Sequence, residues 1–160
     1  MKVVFIAAEG FILKRGFVIK ELSIVYSDDS YQHYHFKTPK NFTPSAADRN
    51  TINYTKHYLN GFSIEDDFYL PNDLHQTILN EFVNFRVYVA GEITRRFISD
   101  ILPETRVIDT CSLTDFQYPT ELPNPNCFKM HRARYCSLAK ARYIKSAIDT
   151  FFFKEDVVLY

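Results

Sequence analysis

The chain has 160 residues, 19 basic and 19 acidic side chains and a formal net charge of zero at pH 7. That balance excludes wholesale electrostatic binding to nucleic acid and leaves room only for a local basic patch. No window approaches the ~18 consecutive apolar residues of a membrane span, and an odd number of cysteines, three, excludes a complete disulfide framework. A hydrophobic share of 46% and a charged share of 24% describe one soluble globular domain over residues 1–160. An intracellular setting, cytoplasmic or nuclear, is expected, with no membrane partner.

The apolar run Val3 to Ala8 ends at Glu9-Gly10, too soon for a signal peptide, and reads as a strand buried on both faces. A short loop with Lys14, Arg15 and Gly16 leads to a second strand, Phe17 to Ser27. There Val18, Lys20, Leu22, Ile24 and Tyr26 interleave with Ile19, Glu21, Ser23 and Val25. Asp28-Asp29-Ser30 is turn chemistry. Tyr31 to Phe36 then sets Tyr31, His33 and His35 on one face, which fits an aromatic edge-strand surface. Ser45 caps a helix from Ala46 to Leu59, with Ile52, Lys56 and Leu59 on one side, and Asn60-Gly61 stops it. Asn72 caps a second helix, Leu74 to Asn84. Arg86 to Ala90 is a fourth strand, Glu92 to Leu102 a third helix ended before Pro103, and Arg106 to Asp109 a fifth strand. Cys111, just beyond it, fits a core position. Ser112 to Asn126, with Pro119, Pro123 and Pro125, reads as extended loop. A last helix begins near Arg132 to Arg134 and buries Leu138, Ala141, Ile144, Ala147 and Ile148 on one stripe.

The resulting order, β-β-β-α-α-β-α-β-α, resembles the RNase H-like arrangement. It implies an α/β fold with a mixed five-stranded sheet, a three-stranded meander first, strand one in the middle and helices on both faces. A flavodoxin-like fold needs helices between the first three strands, and their spacing leaves no room.

Chemistry concentrates near the C-terminus. Cys127, His131 and Cys136 bring two thiols and an imidazole into ten residues at Cys-x3-His-x4-Cys spacing, a donor density that suits Zn²⁺. The run Lys129 to Lys145 also carries Arg132, Arg134, Lys140 and Arg142 without an acidic residue. With Tyr135 and Tyr143 interleaved, Arg132, Arg134, Lys140, Arg142 and Lys145 could grip phosphates of a single strand while the rings stack bases. A solvated helix face accounts for the same pattern.

In outline the chain resembles the 3′–5′ exonucleases of the DnaQ type. Their first strand carries Asp-x-Glu, and a His with an Asp five residues on lies near the last helix. Such carboxylates hold two divalent ions, Mg²⁺ or Mn²⁺. Here Glu9 matches the second acid and His131 the histidine, so both are candidate catalytic residues. Ala7 stands where the first Asp belongs, Cys136 replaces the last one, and no acid takes the middle position near Arg95.

The chain is also similar to the Maelstrom domain, a DnaQ-related fold whose acidic site is replaced by Glu-Cys-His-Cys zinc ligands. Lys20-Glu21-Leu22-Ser23-Ile24 resembles that family's second-strand glutamate. Cys127, His131 and Cys136-Ser137-Leu138-Ala139 resemble its C-terminal donors, with altered spacing between them. The resemblance implies a structural zinc on Glu21, Cys127, His131 and Cys136. Against it stand buried thiols acting as small hydrophobes, a locally bonded His131, and an ion pair for Glu21. Glu9, likewise, could instead be a strand-end residue bonding a helix N-terminus.

Two functions follow from these residues. One is a divergent zinc-containing nuclease acting on single-stranded RNA or DNA. The other is a catalytically inactive nuclease-fold module that binds RNA or a protein partner. A nucleotide enzyme finds no glycine-rich phosphate loop here, although a Cys136 nucleophile activated by His131 is chemically conceivable.

Overall fold

The computed structural model describes residues 2–64, 69–123 and 133–158. Its elements are strands β1 (Val3–Leu13), β2 (Gly16–Tyr26) and β3 (Tyr31–His35), then helices α1 (Ala46–Tyr58) and α2 (Leu74–Asn80). Strand β4 (Arg86–Val89), helix α3 (Glu92–Ile101), strand β5 (Val107–Asp109) and helix α4 (Ser137–Val158) follow. Short 3-10 turns lie at Thr110–Ser112 and Ala133–Tyr135. The element order is the expected one. One five-stranded mixed sheet runs β3-β2-β1-β4-β5, so the first strand is central. The β1–β2–β3 meander is antiparallel, and β4 pairs parallel with β1 and β5.

Alternation along β1 sends side chains into two cores. Val4 and Ile6 join Ile78, Leu79 and Phe82 around α2 and Ile98 and Leu102 around α3. Phe5 and Ala7 join Leu138, Ala141, Ile144 and Ile148 of α4. A third cluster, Phe11, Leu13, Ile52 and Phe62, seats α1 on the far end of β1. Helices thus cover both faces of the sheet.

β1 is longer than the apolar run suggests. It continues through Glu9 and Gly10 to Leu13, and it turns into β2 across Lys14 and Arg15. The partners of Glu9 and Gly10 are Glu21 and Ile19, so Lys20 is an extra residue on β2, a β-bulge. The bulge reverses the alternation. Phe17 and Ile19 share a core with Leu22, Ile24 and Tyr26, while Glu21, Ser23 and Val25 turn toward α4. A strict period of two wrongly groups Ile19 with Glu21. Gly10 is needed opposite the bulge, because a Cβ there would lie 2.0 Å from the Val18 carbonyl oxygen. The Lys20 ammonium donates to Thr38 Oγ1 at 3.1 Å.

Five further expectations need correcting. Asn72 does not cap α2. Its amide donates to the Ile19 and Lys37 carbonyls at 3.0 and 2.9 Å, tying β2 to the segment after β3, and α2 ends at Asn80. Leu59 lies beyond the end of α1 and is 38% exposed, because Thr55 joins Ile52 as the buried side of that helix. Cys111 sits in a 3-10 turn and is exposed rather than core. Ala147 is only half-buried on the α4 stripe.

Candidate metal centre

Strand register on the α4 side of the sheet lines up two rows of side chains. Glu9, Glu21 and His35 are cross-strand neighbours on β1, β2 and β3, and Ala7, Ser23 and His33 form the adjacent row. The N-terminus of α4, with Cys136 and Ser137, closes over them.

Glu21 is at the centre and has a side chain that is 0% exposed. Its Oε1 accepts the Ser137 backbone N–H at 2.6 Å, so the carboxylate meets the first amide of α4, where helix geometry leaves donors unpaired and the dipole favours negative charge. Its Oε2 lies 2.9 Å from His35 Nε2 and 3.9 Å from His33 Nε2. The two imidazoles meet edge to face, with centroids 4.7 Å apart. Nδ1 of His33 hydrogen-bonds Ser23 Oγ, which is 2.7 Å from Ser137 Oγ. Among the described residues, Glu21, His33 and His35 form a group whose ligand atoms all lie within 4.8 Å of one another. His33 and His35 are therefore not an aromatic edge surface. They are turned inward onto a buried carboxylate.

Of the expected zinc ligands, Glu21 lies in this cluster, and Cys136 is fully buried beside Ser137. Cys127 and His131 lie outside the described residues, as does Arg132.

Glu9, the candidate catalytic acid, is engaged otherwise. Its Oε1 pairs with the ammonium of Lys140 in the first turn of α4, and its Oε2 is 3.4 Å from the Asn60 amide. Burial lifts its carboxyl above the ordinary range, and the Lys140 charge counters that only in part. Lys140 Nζ also lies 5.3 Å over the Tyr118 ring, and burial, aided by the Glu9 charge, raises the Tyr118 phenol. Ala7, 4% exposed, packs among the α4 core residues. The helix N-terminus is bonded by Glu21, not by Glu9.

Among the described residues, the basic run does not form one cationic face. Lys140 is directed at Glu9. Lys145 is shared between Asp29 at 3.1 Å and Asp149 at 2.7 Å. Arg142 lies 4.8 Å over the Tyr31 ring and Arg134 5.6 Å over Tyr135, and both are exposed. Two of the neutralising acids, Glu9 on β1 and Asp29 in the β2–β3 turn, are distant in sequence, and the third, Asp149, lies one turn further along α4.

Sequence reasoning missed His33 and His35 as partners of Glu21. The available signal was their i, i+2 spacing on a strand next to an apolar strand bearing one acid. Finding it required the β2–β3 register, which sets His35 opposite Glu21 and His33 opposite Ser23. Comparison with protein-family models, with curated proteins and with solved structures finds no match. No helix among the described residues is long and apolar enough to cross a membrane. What can be stated is an α/β domain with a buried carboxylate–histidine cluster able to hold a metal ion.

Proposed function

We propose that this chain is an RNase H-like domain of the DnaQ type, akin to the Maelstrom domain, that binds single-stranded nucleic acid without cutting it. Zinc takes the place of the catalytic magnesium pair, held by Glu21 and Cys136 together with Cys127 and His131. The observation that carries this is the fate of the two carboxylates on the α4 side of the sheet. Glu9 is held by Lys140, and Glu21 sits fully buried at the start of α4. Two-ion phosphodiester cleavage needs clustered acids open to substrate. Ala7 supplies none and Glu9 is engaged. Strand order and helix placement support the fold assignment, since the central first strand, the antiparallel meander and the parallel β4 and β5 are those such domains have.

For binding, Arg134, Arg142, Tyr31 and Tyr135 offer exposed cations next to rings, suited to phosphates and stacked bases. Elemental analysis and a titration with fluorescent single-stranded RNA test both halves. We expect one equivalent of bound zinc that is lost in Cys127→Ser/Cys136→Ser. We also expect affinity that falls with salt at a log–log slope of at least about −1.4, from ~0.7 per phosphate contact. Substrate cleaved by the wild-type chain in Mg²⁺ or Mn²⁺ refutes the non-catalytic part. Absence of binding to RNA and DNA strands alike refutes the nucleic-acid part.

A further inference from the structure

Glu21, His33 and His35 come from adjacent strands and face one another beneath α4. We propose that these three residues form a second zinc-binding site, sharing the Glu21 carboxylate with the cysteine-bound ion, with Ser23 as the residue that positions His33. This assignment goes beyond the Cys127–His131–Cys136 donors and uses only side chains held by the sheet.

Three properties support it. The first is spacing. Zn–N and Zn–O bonds of about 2.0–2.1 Å place tetrahedral donors roughly 3.4 Å apart. Oε2 of Glu21 lies 2.9 Å from one imidazole nitrogen and 3.9 Å from the other, so small rotamer adjustments admit the ion. The second is orientation. Metal-bound histidines characteristically engage their other ring nitrogen in a hydrogen bond that fixes the ring and its tautomer. His33 does so through Nδ1 and Ser23 Oγ, leaving Nε2 directed at Glu21. Ser23 is itself held by Ser137 Oγ, so sheet and helix both set the ring. The third is charge: a buried carboxylate is suited to binding a cation.

Two imidazoles and one carboxylate favour zinc and its transition-metal neighbours over magnesium or calcium. Three protein donors leave a fourth tetrahedral position for water or a further ligand.

The test uses the full chain, stripped of metal and titrated with Zn²⁺ or with Co²⁺ as a spectroscopic stand-in. We expect His33→Ala/His35→Ala to lose one equivalent of zinc while Cys127→Ser/Cys136→Ser retains it. Ser23→Ala should weaken that equivalent 10- to 100-fold, the usual consequence of removing a ligand's orienting partner. Excess Mg²⁺ should not displace it. Histidine-labelled wild-type protein followed by ¹⁵N NMR needs no variant, so it decides the matter if the double variant fails to fold. Ring-nitrogen shifts of His33 and His35 on adding Zn²⁺ support the site. Unmoved resonances overturn it, as does zinc content in a folded histidine variant equal to that of wild type. Loss of metal in the cysteine variant alone would leave the preceding proposal standing and remove this one.

Discussion

Burying a carboxylate is unfavourable unless it is paired, and the α4 side of the sheet buries two in one cross-strand row. Glu9 and Glu21 face each other on β1 and β2, and different groups neutralise them. For Glu9 the partner is Lys140. Lys140→Met should lower unfolding stability by about 3–5 kcal/mol, the usual result of removing one partner from a buried pair. Lys140→Met/Glu9→Gln should recover most of it. The deficit should depend on pH with a definite sign. Glu9 already has a carboxyl raised in the folded state, so its contribution is fully present below its unfolded value and is lost as pH rises through the folded one. Without Lys140 that upper value climbs further, so urea titrations should show a deficit that widens from pH 5 to pH 8. A deficit equal at both values would mean that Glu9 is not the group left unpaired. A second residue-scale expectation concerns Gly10. Its Cβ position meets the Val18 carbonyl oxygen, so Gly10→Ala should cost about 1–3 kcal/mol in the same titration. At this scale the sequence disclosed Glu21 as an acid on an apolar strand that needed a partner. It did not disclose the partner, because Ser137 is more than a hundred residues away and His35 meets Glu21 only through the β2–β3 strand register.

Elements with strong local signals stand where the sequence places them. Ser45 caps α1 by accepting from the Asp48 backbone N–H, and Asp48 returns a bond to the Ser45 backbone, a capping box. Ser45→Ala should therefore destabilise the protein by about 1 kcal/mol in thermal or urea unfolding. Hydrogen bonds from Ser45, assisted by the Arg15 guanidinium 3.0 Å away, hold the Asp48 carboxyl below the ordinary range. That contribution is present above the unfolded value and is lost as pH falls through the lowered one. Asp48→Asn should thus narrow the gap to wild type as pH drops below 4, measured by circular dichroism. Elements whose ends depend on tertiary contacts were less legible. β1 outruns its apolar stretch because β2 offers Gly16 to Ile19 as a partner for Gly10 to Leu13. α2 stops at Asn80 while its periodicity continues. Phe82 still enters the core through a turn, but Val83 is left 47% exposed.

Across the whole molecule, α4 is attached to the sheet by an apolar stripe, by Ser137 to Glu21 and by Lys140 to Glu9. Metal bound beneath its first turn would add to that attachment only in the folded state. A Zn²⁺ concentration one hundred times Kd then stabilises by about 2.7 kcal/mol. Hydrogen exchange with and without a chelator should show lost protection concentrated in β2, β3 and the start of α4. The α2–α3 side, which packs on the opposite face, should be little changed. Uniform loss over both faces would argue that metal supports the domain as a whole and not this one junction. The global arrangement was readable because element order and short connections leave few ways to thread the meander. The metal donors were not, since they lie on two strands and meet only through the β2–β3 register.

Lys20, that extra residue, makes the strand unequal in its tolerance of length changes. Deleting it would restore an unbroken ladder, and one half of β2 would have to rotate by a side chain's width. Either Phe17 and Ile19 would leave the oily side they share with Leu22, or Glu21 would swing away from the histidines and from the head of the final helix. Related chains that keep the carboxylate–imidazole cluster should accordingly keep the chain length between Gly16 and Glu21, whatever amino acid fills position 20.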